Sequence, residues 1–202
     1  MSPKKNVAVL ISGRGSNLQA LIDAAKAADY PARIVLVISN VANAPGLSRA
    51  AAEGIATLTI PHKDKGREAF DGEIDATLRA AGVEIVCLAG FMRILSDGFV
   101  RGWEGRLVNI HPSLLPDFKG TRVHERVIEA GVAHSGASVH FVVPELDAGP
   151  VVAQERVPVH PSDTPDILAA RVLAAEHKLY PAALRLVAEG KVRLEHGLAV
   201  FA

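Results

Sequence analysis

The sequence predicts a three-layer α/β fold, in which helices cover both faces of a mostly parallel β-sheet with an antiparallel strand towards its carboxyl-terminal part. Short apolar runs rich in β-branched residues alternate with longer segments of helical period, which is the pattern of successive βαβ units. Most of these runs are too apolar to have a solvated face, as in parallel strands buried on both sides. The alternation stops after Gly131, where two strand-like runs flank a turn-rich segment.

The first part of the chain supplies most of the predicted sheet. Strands are expected at residues 7–11, 34–38, 57–60, 84–88 and 106–110. Helices are expected at residues 17–28, 46–52, 66–81 and 124–130. These helices would cover the two faces of the sheet.

The carboxyl-terminal part follows a different pattern. The runs at residues 137–143 and 151–157 are separated by a segment dense in turn formers, which predicts a hairpin-like pair. A long helix is expected from Thr164 to Glu189, and Pro181 should bend or interrupt it. The tail at residues 192–201 is expected to form a weak strand pair. At 202 residues, the whole chain (1–202) is expected to be one domain.

The composition argues against several classes of partner. The 22 basic and 22 acidic residues cancel, so there is no basic excess to neutralise a nucleic acid or an anionic membrane. No run approaches the roughly 20 apolar residues of a spanning helix, and the first apolar run is broken at Ser12, unlike a secretion signal. We therefore expect a cytoplasmic protein without a nucleic-acid or membrane partner. Cys87 lies in an apolar run and is expected to be a buried, inert thiol.

The segment from Ser12 to Leu18 lies between the first strand and the first helix. Its two glycines allow a ligand to approach the backbone, and the free amides at the helix start suit a phosphate. A dinucleotide fingerprint would need a third glycine at Leu18 and an acidic residue at Ser39 or Asn40, and the lysine of a triphosphate loop is also missing. The alternative is a strand-to-helix turn with no ligand.

A second polar segment follows the fifth strand, at the edge of the sheet where ligands of open α/β folds bind. Because side chains alternate along a strand, Asn109 and His111 point to one face and Val108 and Ile110 to the other. Pro112 restricts His111 to an extended backbone. An amide donor beside an imidazole suits a carbonyl whose oxygen becomes negative during attack, where one preorganised donor can contribute on the order of 100-fold to 1000-fold in rate.

Each of these residues also has an ordinary structural interpretation. A lone histidine more often hydrogen-bonds a turn than it catalyses, although Asn109 weakens that interpretation for His111. Asp147, in the turn at residues 146–150, could orient His111 and favour its protonated form. A turn aspartate is more often a local backbone acceptor, and the sequence alone does not bring Asp147 to His111.

No metal site is predicted. His124 and Glu125 begin like the helix of zinc proteases, but Ile128 stands where the second histidine ligand would be required. The remaining histidines form no cluster with cysteine or carboxylate at ligand spacing. Four of them are expected at the surface: His62, His134, His160 and His196.

Several separate motifs, in one order along nearly the whole chain, resemble the phosphoribosylglycinamide formyltransferase family. They are residues 13–19, 88–95, 109–116, 138–141, 146–150 and 176–177. The asparagine-x-histidine-proline-serine motif alone is shared with other formyl-folate enzymes, so motif order and chain length carry the resemblance. It implies a Rossmann-like formyltransferase fold and transfer of a formyl group from the co-substrate 10-formyltetrahydrofolate to phosphoribosylglycinamide in purine biosynthesis.

The resemblance also implies roles for individual residues. His111 would be the general acid, Asn109 would hold the oxyanion, and Asp147 would support the charged histidine. The substrate residues implied are Gly15, Ser16 and Asn17 at the phosphate, and Glu176 at the ribose or glycinamide end. The folate-site residues implied are Arg67, Met92, Arg93, Ile94, Leu95 and Asn109. For Met92, Ile94 and Leu95 the alternative is an ordinary core position, with Arg93 solvated.

Three other functions remain open: a formyl-folate hydrolase with water as acceptor, a formyltransferase acting on initiator transfer RNA, and a non-catalytic nucleotide- or folate-binding module. The resemblance disfavours the first two, since such hydrolases usually carry a domain before the first strand and such transferases an extra carboxyl-terminal domain. Here the first strand is expected at Val7 and the chain ends at Ala202. Residues 121–123 depart from the family's pattern, and a monomer or homodimer is expected.

Overall fold

A seven-stranded sheet forms the centre of the structure, a computed structural model that describes residues 3–202. Its strands are β1 (Lys5–Ile11), β2 (Ala32–Ser39), β3 (Ala56–Thr59), β4 (Ile85–Leu88), β5 (Leu107–His111), β6 (His134–Phe141) and β7 (Val151–Pro158). Their order across the sheet is β3-β2-β1-β4-β5-β6-β7. The first five strands are parallel, and β6 and β7 are antiparallel to their neighbours. The expected fold class is confirmed.

Six helices and a small second sheet complete the described chain. The helices are α1 (Ser16–Ala25), α2 (Pro45–Ala52), α3 (Arg67–Ala80), α4 (Asp97–Gly102), α5 (Val123–Glu129) and α6 (Pro165–Ala188). Strands β8 (Val192–Glu195) and β9 (Leu198–Phe201) pair with each other, which confirms the strand pair expected in the tail. Among residues 3–202, no helix combines the length and apolarity that crossing a bilayer requires.

Two apolar clusters lie on opposite faces of the sheet. Alternate side chains of β1 divide between them: Val9 belongs to one cluster, and Leu10 to the other. The first cluster packs the sheet against α1, α2, α5 and α6, and the second packs it against α3 and α4. The strand between them is therefore buried on both sides, and the three-layer arrangement follows.

The strand order reverses between β1 and β4, which are neighbours in space although two strands separate them in sequence. In open α/β sheets such a reversal leaves a crevice at the carboxyl ends of the strands, where ligands bind. The loops after these two strands touch: the Ser12 N–H donates to the Gly90 carbonyl at 3.2 Å, and the Met92 N–H donates to Ser12 Oγ at 2.8 Å. The predicted phosphate loop and the predicted folate segment are thus adjacent.

One expectation about the sheet was wrong, and one short helix was not predicted. Strand β3 is an exposed edge strand rather than one buried on both sides, and Leu58 keeps 40% of its surface exposed. Helix α4 was not predicted, because six residues are too few to show a helical period. Its start is nevertheless encoded locally, since Ser96 Oγ accepts a hydrogen bond from the Phe99 N–H.

Pro181 does not interrupt α6, which runs unbroken through it. A proline costs a helix one backbone hydrogen bond, but packing can outweigh that loss. Tyr180 and Leu184 flank the proline and are fully buried in the first apolar cluster. The Pro181 carbonyl also accepts a hydrogen bond from the Tyr30 hydroxyl at 2.7 Å.

Gly149 provides a test of how the turn before β7 packs on β6. A Cβ at this position would overlap the carbonyl oxygen of Phe141, whose own N–H donates to the Pro150 carbonyl at 3.0 Å. We expect Gly149→Ala to lower the free energy of unfolding by at least about 1–3 kcal/mol, the usual cost of overpacking. Gly72→Ala is the matched control: the space around this helical glycine is open, so alanine should raise stability by roughly 0.5–1 kcal/mol. Urea unfolding measures both, and an unchanged stability for Gly149→Ala would contradict the close approach.

Candidate active site

The end of β5 and the second half of β6 present one row of polar side chains. Val108 and Ile110 point into the first apolar cluster, so Asn109 and His111 point to the opposite face of the sheet, as predicted. The antiparallel register places Asn109 directly opposite His140, and His111 opposite Ser138. Two adjacent strands therefore contribute polar groups to the same face.

Asp147 reaches His111 from the turn between β6 and β7. Its Oδ2 lies 3.4 Å from His111 Nδ1, and both side chains are less than a tenth exposed. The same oxygen accepts the backbone N–H of Gly120 at 2.8 Å. Asp147 is therefore a backbone acceptor, but for a loop 27 residues away rather than for its own turn. The local interpretation of this aspartate is wrong, and the convergence expected from the resemblance is present.

Both ring nitrogens of His111 face acceptors. Nε2 lies 3.0 Å from the carbonyl oxygen of Phe118, and Nδ1 faces the Asp147 carboxylate. A neutral imidazole has one N–H, so only the imidazolium can donate to both oxygens. The structural interpretation of His111, a hydrogen bond to a turn, is thus correct as well, and it accompanies the carboxylate contact instead of replacing it.

Asn109 makes its side-chain contact with a residue of β6. Its Nδ2 lies 3.1 Å from His140 Nε2, and His140 Nδ1 lies 2.8 Å from the carbonyl oxygen of Phe141. A carbonyl accepts only, so the His140 proton is on Nδ1 and Nε2 receives an N–H from Asn109. His140 Nε2 also lies 3.8 Å from Asp147 Oδ1.

Burial disfavours the charged form of two histidines around this cluster. It lowers the pKa of His140, although the Phe141 carbonyl and the Asp147 carboxylate oppose the shift. Burial also lowers the pKa of His124, and the nearby His111 lowers it further. The site therefore combines an imidazole held neutral, at His140, with an imidazole facing two acceptors, at His111.

The predicted phosphate loop ends in an uncapped helix start. Gly15 is the residue before α1, has a left-handed backbone (φ 72°), and offers no side chain to cap the helix amides. No acidic residue occurs in the first turn of α1, so no carboxylate of the helix itself compensates the partial positive charge at its start. Gly15 also packs directly on Gly46 of α2, where a Cβ would not fit.

Asn17 connects this loop to α6. Its Nδ2 donates to Glu176 Oε2 at 2.7 Å, across 159 residues of sequence, so the predicted substrate residues are brought together. Burial raises the pKa of Glu176, which is 7% exposed, and the Asn17 hydrogen bond opposes the shift. Within residues 3–202, Asn17 Oδ1 and His177 Nε2 are buried without a hydrogen-bond partner.

The predicted folate segment has large apolar side chains in solvent. Met92 is 73% exposed and Ile94 58% exposed, whereas Leu95 is 8% exposed. An ordinary core position is therefore wrong for Met92 and Ile94 and correct for Leu95. Arg93 is also exposed. Exposed apolar residues beside a crevice are typical of a binding surface.

Both ends of this segment are attached to the start of α3. Phe91 stacks on Phe70 with ring centroids 6.4 Å apart, and the Ser96 N–H donates to the Asp71 carboxylate at 2.5 Å. Arg67 begins the same helix and is exposed. Arg67 thus lies about one helical turn before the residues of α3 that contact Phe91 and Ser96. Segment 92–95 in turn follows β4, whose Leu88 pairs with Asn109.

The other sequence predictions in this region have mixed outcomes. Among residues 3–202, no group of three or more histidine, cysteine, aspartate or glutamate side chains could hold a metal ion. Three of the four histidines expected at the surface are exposed, while His62 is half-buried with Nδ1 3.2 Å from Asn40 Nδ2. Cys87 is fully buried as expected, and burial raises its pKa to about 12.

Comparison with known proteins assigns the family. The model of the formyl transferase family, described as "Formyl transferase", matches residues 5–184 of this chain. The chain belongs to the formyl transferase family. The match covers every strand of the seven-stranded sheet and nearly all of α6, so the candidate catalytic residues, the predicted phosphate loop and the 92–95 segment all lie within it.

Relatives of this formyl transferase include free-standing and much longer proteins. The chain is 56% identical over 196 residues to the trifunctional purine biosynthetic protein adenosine-3 of Bos taurus. The aligned region covers 96% of this chain but only 19% of that much longer protein. The chain is 47% identical to the phosphoribosylglycinamide formyltransferase of Escherichia coli K12, covering 96% of this chain and 92% of that protein. A crystal structure of glycinamide ribonucleotide transformylase 1 from Symbiobacterium toebii superposes with a TM-score of 0.95, at 40% identity, covering 100% of this chain and 95% of the other.

The sequence indicated no individual role for three groups of the candidate site. These are the His140 imidazole, the Phe118 carbonyl and the Gly120 N–H. The two backbone groups have no sequence signal, since any residue type supplies them. For His140 the sequence signal is weak. His140 lies in a predicted strand two residues after Ser138, so the two polar side chains point to the same face.

The lowered pKa of His140 makes stability depend on pH. The unfolded chain protonates this residue near the ordinary value of about 6.5, above the folded value, so the unfolded state binds more protons as pH falls below about 6.5. The contribution of His140 to the free energy of unfolding therefore decreases as the solution is acidified. We expect His140→Gln to flatten the decline in urea-measured stability below pH about 6.5. His134→Gln, an exposed position on the same strand, should keep the parent slope, and an unchanged slope in His140→Gln would contradict the burial effect.

Proposed function

We propose that this chain transfers the formyl group of 10-formyltetrahydrofolate to the amine of 5'-phosphoribosylglycinamide, as a step of purine biosynthesis. The observation that carries the proposal is the convergence of Asn109, His111 and Asp147 at the carboxyl edge of the sheet, beside an uncapped helix start. The E. coli relative named phosphoribosylglycinamide formyltransferase matches nearly end to end. A cytoplasmic location remains a prediction from the sequence.

The reaction needs an amine, a carbonyl and a stabilised oxyanion. The neutral glycinamide amine attacks the formyl carbon, and the carbonyl oxygen gains negative charge as the new C–N bond forms. An α-amine titrates at roughly 7.7–8.0, so a neutral fraction exists near pH 7 without a strong base. Asn109 Nδ2–H and the His111 imidazolium stabilise the oxyanion. The bond from the formyl carbon to the folate nitrogen then breaks, the amine loses a proton, and the folate nitrogen gains one.

His111 already donates to a protein carbonyl, which sets a requirement for this mechanism. Its Nε2 faces Phe118 O, and its Nδ1 faces Asp147. For Nε2–H to reach the substrate, the formyl oxygen must take the place of the Phe118 carbonyl. During that exchange the Asp147 carboxylate remains against His111 Nδ1 and stabilises the positive charge of the ring. This is the supporting role that we assign to Asp147.

The two substrates are proposed to occupy neighbouring parts of the crevice. The phosphate would bind the first-turn amides at Gly15, Ser16 and Asn17, and Glu176 would accept hydrogen bonds from ribose hydroxyls or the glycinamide. The folate ring would lie on Met92, Arg93, Ile94 and Leu95, with Arg67 and Asn109 nearby. Two inter-strand spacings, about 10 Å in total, separate the loop after β1 from the end of β5, which a phosphoribosyl group can span.

The direct test is turnover with both substrates. We expect folate release in the presence of phosphoribosylglycinamide to exceed release with water alone by orders of magnitude, because attack by a bound amine gains from proximity. His111→Ala should lower the rate by about 100-fold or more, given typical contributions of a general acid. His160→Ala, at an exposed histidine, is the matched control and should keep the parent rate.

Each outcome separates one alternative. Equal folate release with and without the glycinamide would identify a hydrolase, and binding without turnover would identify a non-catalytic module. A His111→Ala variant that kept more than about a tenth of the rate would exclude the acid role of His111 while leaving formyl transfer intact.

A further inference from the structure

His140 lies next to the proposed catalytic group, with its Nε2 3.8 Å from Asp147 Oδ1. Among residues 3–202, the side chain that hydrogen-bonds the His140 ring is Asn109, whose Nδ2 is 3.1 Å from Nε2. The two residues are directly opposed in the register of β5 and β6, so this contact is fixed by the sheet. Only 2% of the His140 surface is exposed, which leaves it no direct access to a ligand.

The tautomer of His140 follows from its backbone partner. Nδ1 must carry a proton because it lies 2.8 Å from the Phe141 carbonyl, which cannot donate. With the ring neutral, Nε2 carries a lone pair and can only accept. The Asn109 amide must therefore present its NH2 group to His140, because the reversed amide would oppose an oxygen lone pair to a nitrogen lone pair.

The charged groups around His140 divide in their effect. Burial lowers the pKa of the His140 ring, and the nearby His111 and Lys119 lower it further. The Asp147 carboxylate acts in the opposite direction and raises this pKa. If His140 did gain a proton, its Nε2–H would repel the Asn109 NH2 group and turn towards Asp147 Oδ1, 3.8 Å away. The Asn109 amide would then be free to rotate by half a turn.

We infer that His140 is a positioning residue for the formyl-transfer reaction: as a neutral acceptor it locks the Asn109 amide in one orientation, so that an N–H of Asn109 is preorganised for the oxyanion. This inference rests on the proposed catalytic role of Asn109. A donor that is already oriented costs no reorganisation when charge develops, which is where such groups gain their effect. Gly149 belongs to the same arrangement, since its lack of a Cβ leaves room for the Phe141 carbonyl that holds His140 Nδ1–H.

The kinetic test is a double-mutant cycle. We expect His140→Phe, which keeps the ring shape but removes the acceptor, to lower kcat by about 10-fold or more with KM for both substrates changed less than about 3-fold. His140→Gln places a neutral oxygen near the former Nε2 and should recover most of kcat. In an Asn109→Ala background, His140→Phe should change kcat by less than about 2-fold, because the group through which it acts is gone. His134→Phe makes the same substitution at an exposed position of β6 and should match the parent.

A spectroscopic measurement tests the same inference independently of turnover. Nitrogen-15 NMR of the imidazoles should find His140 neutral with its proton on Nδ1 at pH 7, and the Asn109 side-chain amide resonance should move in His140→Phe. Multiplicative effects of His140→Phe and Asn109→Ala, or a His140 proton on Nε2, would overturn the positioning role. Full turnover in Asn109→Ala would instead overturn the proposed catalytic role of Asn109. If the parent protein transferred no formyl group, the proposed function itself would be overturned. In either case the NMR result would still show whether His140 fixes the orientation of the Asn109 amide.

Discussion

The pairing of β5 with β6 is the constraint on which the site depends. Its register puts Asn109 opposite His140 and His111 opposite Ser138, on the face that no helix of the first cluster covers. Because the side-chain period of a strand is two, a slip of one residue would send this whole polar row into the apolar cluster around Val108 and Ile110. The apolar residues of β5 and β6 therefore fix the positions of the polar ones.

The antiparallel direction of β6 allows the turn that follows it to bring Asp147 to the end of β5. Strand β6 starts at the edge where β5 ends, and the turn after it returns Asp147 towards His111, with both side chains less than a tenth exposed. The loop between the two strands adds Phe118 O and Gly120 N–H to the same group. Each polar atom of His111 and one carboxylate oxygen of Asp147 thus has a partner, as buried polar groups require.

The strand reversal at β1 and β4 supplies the remaining half of the site. It brings the loop after β1 against the segment after β4, so that the proposed anion site and an exposed apolar surface lie side by side. The hydrogen bond between Asn17 and Glu176 extends this arrangement to α6. A phosphorylated substrate and a flat, amphipathic co-substrate could then meet at the Asn109 and His111 edge.

The sequence predicted the elements better than the contacts. Alternation of apolar runs and helical periods identified the sheet, and strand alternation correctly put Asn109 and His111 on one face. It did not reveal α4, which is too short to be periodic, or the exposed β3, which lacks a second neighbour. The approach of Asp147 depends on tertiary folding across a turn, so residue chemistry alone favoured a local role. His140 belongs to the 138–141 motif but received no role, because its contact with Asn109 depends on the register of two strands, which one strand's pattern does not encode.

The central claim is that Asn109, His111 and Asp147 act on one carbonyl, and a structure with both ligands tests it most directly. The protein would be crystallised with phosphoribosylglycinamide and an unreactive folate analogue that carries a carbonyl in place of the formyl group. The account predicts the carbonyl oxygen within about 3.2 Å of both Asn109 Nδ2 and His111 Nε2, with Phe118 O displaced and the phosphate on the amides of residues 15–17. Both ligands bound with that carbonyl out of reach of Asn109 and His111 would contradict it.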